Sequence, residues 1–188
     1  MRQSPAFHYE KALSQGWFTV LDKDLTEYLK WGEEEVDTVN NCLKWACDIV
    51  EEYLWFDVNQ YMITQYCTAH EGKIEFARFR PDYTQPFTVQ YFDADNQLQT
   101  LVENTDYIVI KSFLSYIKLI NIPSTYDRED AYTITYITGY QSTALVPPKI
   151  KACIYRLAAY LFEVRIDEKR TDMSFVEQLC YGMREFRF

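Results

Sequence analysis

The 188 residues carry 19 basic and 28 acidic side chains, a net charge of −9, and 48% of them are hydrophobic. A chain of that composition buries enough apolar surface to offset its lost entropy, which excludes intrinsic disorder. No apolar run approaches the ~20 residues of a membrane span, and Met1-Arg2-Gln3-Ser4-Pro5 leads into His8, Glu10 and Lys11 rather than a signal-like apolar stretch.

Histidine occurs only at His8 and His70, which leaves few options for general acid–base chemistry or zinc binding near neutral pH. The five cysteines, Cys42, Cys47, Cys67, Cys153 and Cys180, contain no CxxC pair and are expected as buried thiols of a reducing compartment. Aromatics are abundant, with 16 Tyr, 12 Phe and 4 Trp. The acidity is concentrated: residues 22–57 hold 3 basic and 11 acidic side chains, net −8, whereas residues 149–188 are net +2. That segment is either a solvated helix face or a surface that repels phosphate, and both readings oppose specific DNA recognition.

In chain order, residues 1–17 show no clear period and are expected as an arm. Thr19 and Asp22 form a capping-box pattern opening a short helix to about Trp31, before Gly32. From Glu33 to Phe56 the spacing is helical. Val36, Val39, Leu43, Cys47, Val50 and Leu54 fall on one stripe, and Cys42, Trp45, Ile49 and Phe56 on the next. The combined apolar arc, roughly 200° wide, exceeds what one packed face needs. Asp37, Asn41, Lys44, Asp48 and Glu51 fill the polar remainder.

The period then changes from 3.6 to about 2. Strands are expected at Tyr61 to Ala69, Lys73 to Arg80, Pro86 to Phe92, Gln97 to Val102, Asp106 to Lys111, Tyr116 to Ile120 and Ala131 to Thr138. Asp93-Ala94-Asp95-Asn96 is turn chemistry joining two of them as a hairpin. Gly139-Tyr140 closes the β-rich region, and Val146-Pro147-Pro148 starts a helix. From Ile150 to Ile166 the apolar positions run nearly all round that helix. A capping box at Ser174 to Glu177 leads a final helix towards Met183, and the chain ends Arg184-Glu185-Phe186-Arg187-Phe188. The expected class is α+β: an N-terminal helix pair, a central antiparallel sheet or small barrel, and two C-terminal helices. One domain spans 1–188, with an arm at 1–17, helices at 18–57, a β-rich region at 58–145, and helices with a tail at 146–188.

Chemistry-bearing motifs are lacking: no GxGxxG, P-loop, HExxH or nucleophile elbow occurs. Cys42 and Cys47 read as packing, and Glu33, Glu34 and Glu35 as first-turn complements to a helix dipole. No enzymatic activity, cofactor or metal is expected. A small-molecule or hydrolytic α+β domain would need a pocket with convergent polar groups, and no triad is available for one. The Arg-aromatic tail 184–188 mixes residue types enriched at protein interfaces.

Several stretches together resemble one family. They are Pro86-Phe87-Thr88-Val89-Gln90-Tyr91-Phe92-Asp93-Ala94-Asp95-Asn96-Gln97-Leu98-Gln99-Thr100-Leu101, then Ile134-Thr135-Tyr136-Ile137-Thr138-Gly139-Tyr140, and Val146-Pro147-Pro148-Lys149-Ile150-Lys151-Ala152. Leu157 to Arg165 and Leu179-Cys180-Tyr181-Gly182-Met183-Arg184 follow in order. The chain resembles bacteriophage head–tail connector (adaptor) proteins over about residues 18–186, with Asn96 where that family often has Gly.

The resemblance implies a structural virion protein, made in the host cytoplasm. It forms a homo-oligomeric ring of about twelve subunits between portal and stopper or tail, through which DNA passes without specific binding. It implies portal contacts at Tyr181, Arg184, Phe186, Arg187 and Phe188. The wide helices would supply inter-subunit packing through Trp45, Ile49, Phe56, Tyr155 and Phe162. Glu33, Glu34, Asp37, Asp48 and Glu51 would form an acidic surface facing the DNA channel. A stopper or tail-completion protein, one layer further from the portal, and a non-viral oligomeric module are the alternatives.

Overall fold

The switch from helical to alternating periodicity divides the chain in space as it does in sequence. The computed structural model describes residues 8–15, 36–69, 71–78, 80–112 and 115–163, together with residues 174, 177, 178 and 181. Two compact units result, a β unit (residues 1–14 and 60–139) and a helical unit (15–59 and 140–188), so most of the β unit lies in the chain between two helical segments.

In the helical unit, α1 (Val36–Leu54) and α2 (Pro148–Glu163) pack against each other. On α1 the buried positions are Val39, Cys42, Leu43, Ala46, Cys47, Val50, Glu51 and Leu54. Most of the first predicted stripe is therefore core. The second stripe splits, because Cys42 is buried, Ile49 half-buried and Trp45 exposed. The prolines act as expected: Pro148 opens α2, and the Pro147 carbonyl accepts from Ile150 N at 2.9 Å and Lys151 N at 3.2 Å. Along α2, Ile150, Cys153, Ile154, Tyr155, Leu157 and Ala158 are buried, whereas Tyr160, Leu161 and Phe162 are half-buried.

The expected arrangement of an N-terminal helix pair and two C-terminal helices is not matched. Among the described residues there are two α-helices, one mid-chain and one C-terminal. The helix expected to about Trp31 lies outside the described residues, and so does the final helix but for single positions.

The β unit is antiparallel, as the hairpin chemistry and alternation predict. Its strands are β1 (His8–Gln15), β2 (Gln60–Cys67), β3 (Lys73–Glu75), β4 (Thr88–Phe92), β5 (Leu98–Leu101), β6 (Tyr107–Ile110), β7 (Tyr116–Leu119) and β8 (Tyr132–Thr138). A five-stranded sheet runs β1-β2-β8-β4-β5, and a three-stranded sheet runs β3-β7-β6. The seven strands read from the sequence are all present. Residues 8–15, expected within an arm, instead form an edge strand, tied to β2 by His8 stacking on Tyr66 and Lys11 over the Tyr61 ring at 3.5 Å. Of its first five residues only Tyr9 is even half-buried, so no buried face writes an alternation into this strand.

Both sheets contribute to one apolar cluster, with Ile63, Val89, Ile134 and Tyr136 from the first and Ile74, Tyr107, Ile117 and Leu119 from the second. Central β8 alternates buried and half-buried residues along its whole length, the signature of a strand with one face on the core. β3 ends at Glu75, well short of the expected Arg80, for a reason only the packing supplies. The buried Gln65 amide donates to the Glu75 carbonyl at 2.8 Å and accepts from Ala77 N at 2.8 Å, while the Tyr136 hydroxyl accepts from Arg78 N at 3.1 Å. Side chains of β2 and β8 thereby take over the backbone groups that a ladder would otherwise satisfy.

The described cysteines, Cys42, Cys47, Cys67 and Cys153, are buried, as expected. Burial pushes the Cys67 thiol up to about 12 and the Cys47 thiol higher still, so neither is a nucleophile near neutral pH.

Candidate interaction surfaces

Exposure sorts the predicted contact residues. Trp45 is 58% exposed on α1, one turn from the exposed Asn41 and Asp48 and the half-buried Ile49, so a large ring stands mostly in water. Ile49 and Phe162 are half-buried and still reachable. Phe56 and Tyr155, expected between subunits, are instead buried inside the chain. Phe56 lies past the end of α1, where the chain has already turned, so helical spacing does not apply to it. Tyr155 is 4% exposed, and its stretch of α2 buries residues on more than one side, Ile150, Ile154 and Ala158 among them.

Asp37 and Asp48 are exposed, consistent with an acidic outer face. Glu51 is a correction: it is 2% exposed and belongs to no surface. Its Oε1 accepts from Val58 N at 2.9 Å, from Asn59 N at 2.8 Å and from Asn59 Nδ2 at 3.4 Å. The chain reverses after Leu54 with Trp55 in the left-handed region (φ 65°), and that reversal brings the amides of residues 58 and 59 onto the carboxylate. Tyr181 is 79% exposed, whereas Glu33, Glu34, Arg184, Phe186, Arg187 and Phe188 lie outside the described residues.

Sequence reasoning read the β4–β5 turn but missed the clamp that braces it from the segment before β8. Asn96 adopts φ 59°, a left-handed value that Asn tolerates where Gly is the usual choice. Asp93 Oδ1 accepts from Gln97 N at 2.9 Å and Asp95 N at 3.0 Å, and Oδ2 from Gln99 Nε2 at 2.8 Å. Arg128 covers the Phe92 ring at 3.9 Å, donates twice to Asp130 at 2.5 and 2.6 Å, and reaches Asn96 Oδ1 at 3.2 Å. Tyr126 N donates to the Phe92 carbonyl at 3.1 Å, and Asp93 bridges to Thr125. The turn is thus bonded from within and from the segment before β8. Arg128 gives no periodic signal in the sequence, since its partners Phe92 and Asn96 are more than thirty residues away.

The hydrogen bonds from Gln97 and Gln99 hold the Asp93 carboxyl below its usual range, and the Arg128 hydrogen bonds do the same for Asp130. A carboxylate with a lowered folded pKa stabilises the fold above its unfolded value, about 3.9, and that contribution fades as pH falls through the folded value. The Gln97 and Gln99 amide signals are therefore expected to hold steady from neutral pH to about 4 and to move below it. The same NMR titration on Asp93→Ala should lack that acid limb.

A cavity of about 330 Å³ lies beside this clamp, lined by residues including Thr68, Ile122, Tyr126 and Tyr132. Its one arginine, Arg128, is already engaged by Asp130. Among the described residues no group of three or more His, Cys, Asp or Glu side chains is placed to hold a metal ion. No helix among them is long and apolar enough to cross a membrane.

No family model and no curated protein matches the chain. Solved structures do. A chain of the virion of a native gene transfer agent particle aligns with a TM-score of 0.71 at 13% identity, covering 95% of this chain and 96% of that one. A chain from the neck of the empty particle, computed with C6 symmetry, gives 0.69 at 14% identity, with 97% of each chain covered. One from the native neck, computed with C12 symmetry, gives 0.65 at 14% identity, with coverage of 92% and 96%. At such identity the likeness is one of fold, and it extends over both units rather than over the β insertion alone.

Proposed function

We propose that this protein is a structural component of a phage-like particle neck, a ring of identical subunits between portal and tail that lengthens the DNA channel. The observation that carries the reading is the fold shared with chains of the virion and neck of a gene transfer agent particle across at least 92% of this chain. The order of the hairpin, the Gly139-Tyr140 strand end and the Pro148 helix start supports it independently.

In this reading Trp45, Ile49 and Phe162 contribute to contacts between copies. Asp37 and Asp48, with Glu33 and Glu34, keep the acidic side towards passing DNA, where like charge prevents adhesion. The C-terminal residues Tyr181, Arg184, Phe186, Arg187 and Phe188 dock on the portal. No catalytic step is assigned.

Native mass spectrometry of the chain mixed with its particle's portal tests this. The expected result is a complex holding several copies of this chain, about twelve on a twelve-fold portal. Deleting residues 184–188 should abolish that complex with an unchanged circular dichroism spectrum. A chain that stays monomeric and never binds portal overturns the reading.

A further inference from the structure

The five-stranded sheet ends on β5, and that edge differs from most sheet edges. Unpaired N–H and C=O groups invite association, so exposed edges normally carry charges, prolines or bulges that discourage it. The opposite edge, β1, carries Glu10 and Lys11. β5 is Leu98-Gln99-Thr100-Leu101, with no charge, no proline, and unbroken one-to-one pairing to β4. Its first three residues are exposed, Leu98 at 51%, and Val102 just beyond is 58% exposed.

The register specifies which backbone groups are open. Asp93 N donates to the Gln97 carbonyl at 2.9 Å, which makes that pair the hydrogen-bonded kind. Antiparallel pairs alternate, so Tyr91–Gln99 and Val89–Leu101 are also hydrogen-bonded, while Phe92–Leu98 and Gln90–Thr100 are not. The N–H and C=O of Leu98 and Thr100 therefore point away from β4 towards the open edge. The clamp of Asp93 and Arg128 fixes the hairpin beforehand, which lowers the ordering cost of a strand added there.

We propose that the β5 edge accepts an extended segment of a second copy of this chain, hydrogen-bonded to Leu98 and Thr100. The inference rests on the ring reading above. A ring of identical subunits closes through head-to-tail contacts that use two different surfaces of each copy, and an uncharged pre-ordered edge supplies one of them. An uncharged strand also suits a self-contact in a chain of net charge −9, where two acidic faces would repel.

Hydrogen–deuterium exchange with residue-level fragmentation tests it, comparing monomer with the portal-assembled complex. The Leu98 and Thr100 amides should exchange freely in the monomer and slow on the order of a hundredfold in the assembly. The Gln99 and Leu101 amides, already bonded to β4, should change little. A variant, Thr100→Pro, removes an outward N–H at an edge where proline is tolerated. It should keep the monomer spectrum and cut ring yield at least tenfold. If Leu98 and Thr100 exchange at the monomer rate inside a formed ring, the edge contact is overturned and the ring reading stands. Slowing in a complex with only one copy of this chain overturns the contact too, because another protein then covers the edge. Failure of wild type to assemble at all overturns the ring reading, and this contact with it.

Discussion

Replacing Glu51 by alanine should lower stability by about 3 kcal/mol, because the change strands buried donors rather than removing a surface charge. The Val58 and Asn59 amides each sit within 2.9 Å of the carboxylate, and Glu51, Val58 and Asn59 are each at most 8% exposed, which leaves little room for water in its place. At roughly 2–4 °C per kcal/mol for a chain of this size, the melting temperature should fall by about 6–12 °C. Glu51→Gln keeps one acceptor oxygen of the same shape and should lose roughly a third as much. Circular dichroism at the helical minimum reads both. If alanine costs no more than the exposed-site control Glu52→Ala, the buried carboxylate contributes nothing net and the account of the chain reversal is wrong.

Phe56→Ala and Trp45→Ala should part company, although both residues belong to the same predicted stripe. Phe56 is fully buried, so truncation leaves a cavity and should cost about 3–5 kcal/mol in the isolated chain. Trp45 is 58% exposed, and its truncation should stay within about 0.5 kcal/mol in the monomer. In the assembled complex the order reverses in kind. Trp45→Ala should weaken chain-to-chain association by tenfold or more, as truncating a central aromatic at an interface does. Denaturant titration of the monomer and native mass spectrometry of the assembly separate the two effects. A Trp45→Ala chain that assembles like wild type removes this helix face from the ring contact.

The strands were legible because their patterns are short-range. Tyr132, Ile134 and Tyr136 alternate with half-buried Thr133, Thr135 and Ile137, and one buried face is enough to write that alternation into a sequence. The Asp93–Asn96 turn was legible for the same reason, since four adjacent residues contain both the left-handed position and the carboxylate that bonds it. Helix α1 was legible in extent but not in the use of each face. Trp45 and Cys42 share an apolar stripe, yet one faces outward and the other is core.

Glu51 illustrates the limit best. By spacing it belongs with Asp37 and Asp48 on the polar arc, and composition gives no hint that it alone of the three turns inward. Gln65 is a similar case, satisfied by groups ten or more residues away, and Arg128 adds Asn96, thirty-two residues away, to its local partner Asp130.

The sequence by itself determined the element types, the hairpin, the proline-started helix and the concentration of charge in residues 22–57, because periodicity, turn chemistry and charge are local properties. Only the tertiary structure decided that the helices flanking the β region pack on each other, and that residues 8–15 and β5 form the two edge strands of the five-stranded sheet. It also decided which polar side chains are buried. Burial depends on what a distant segment brings to the site, and no window of adjacent residues contains that information.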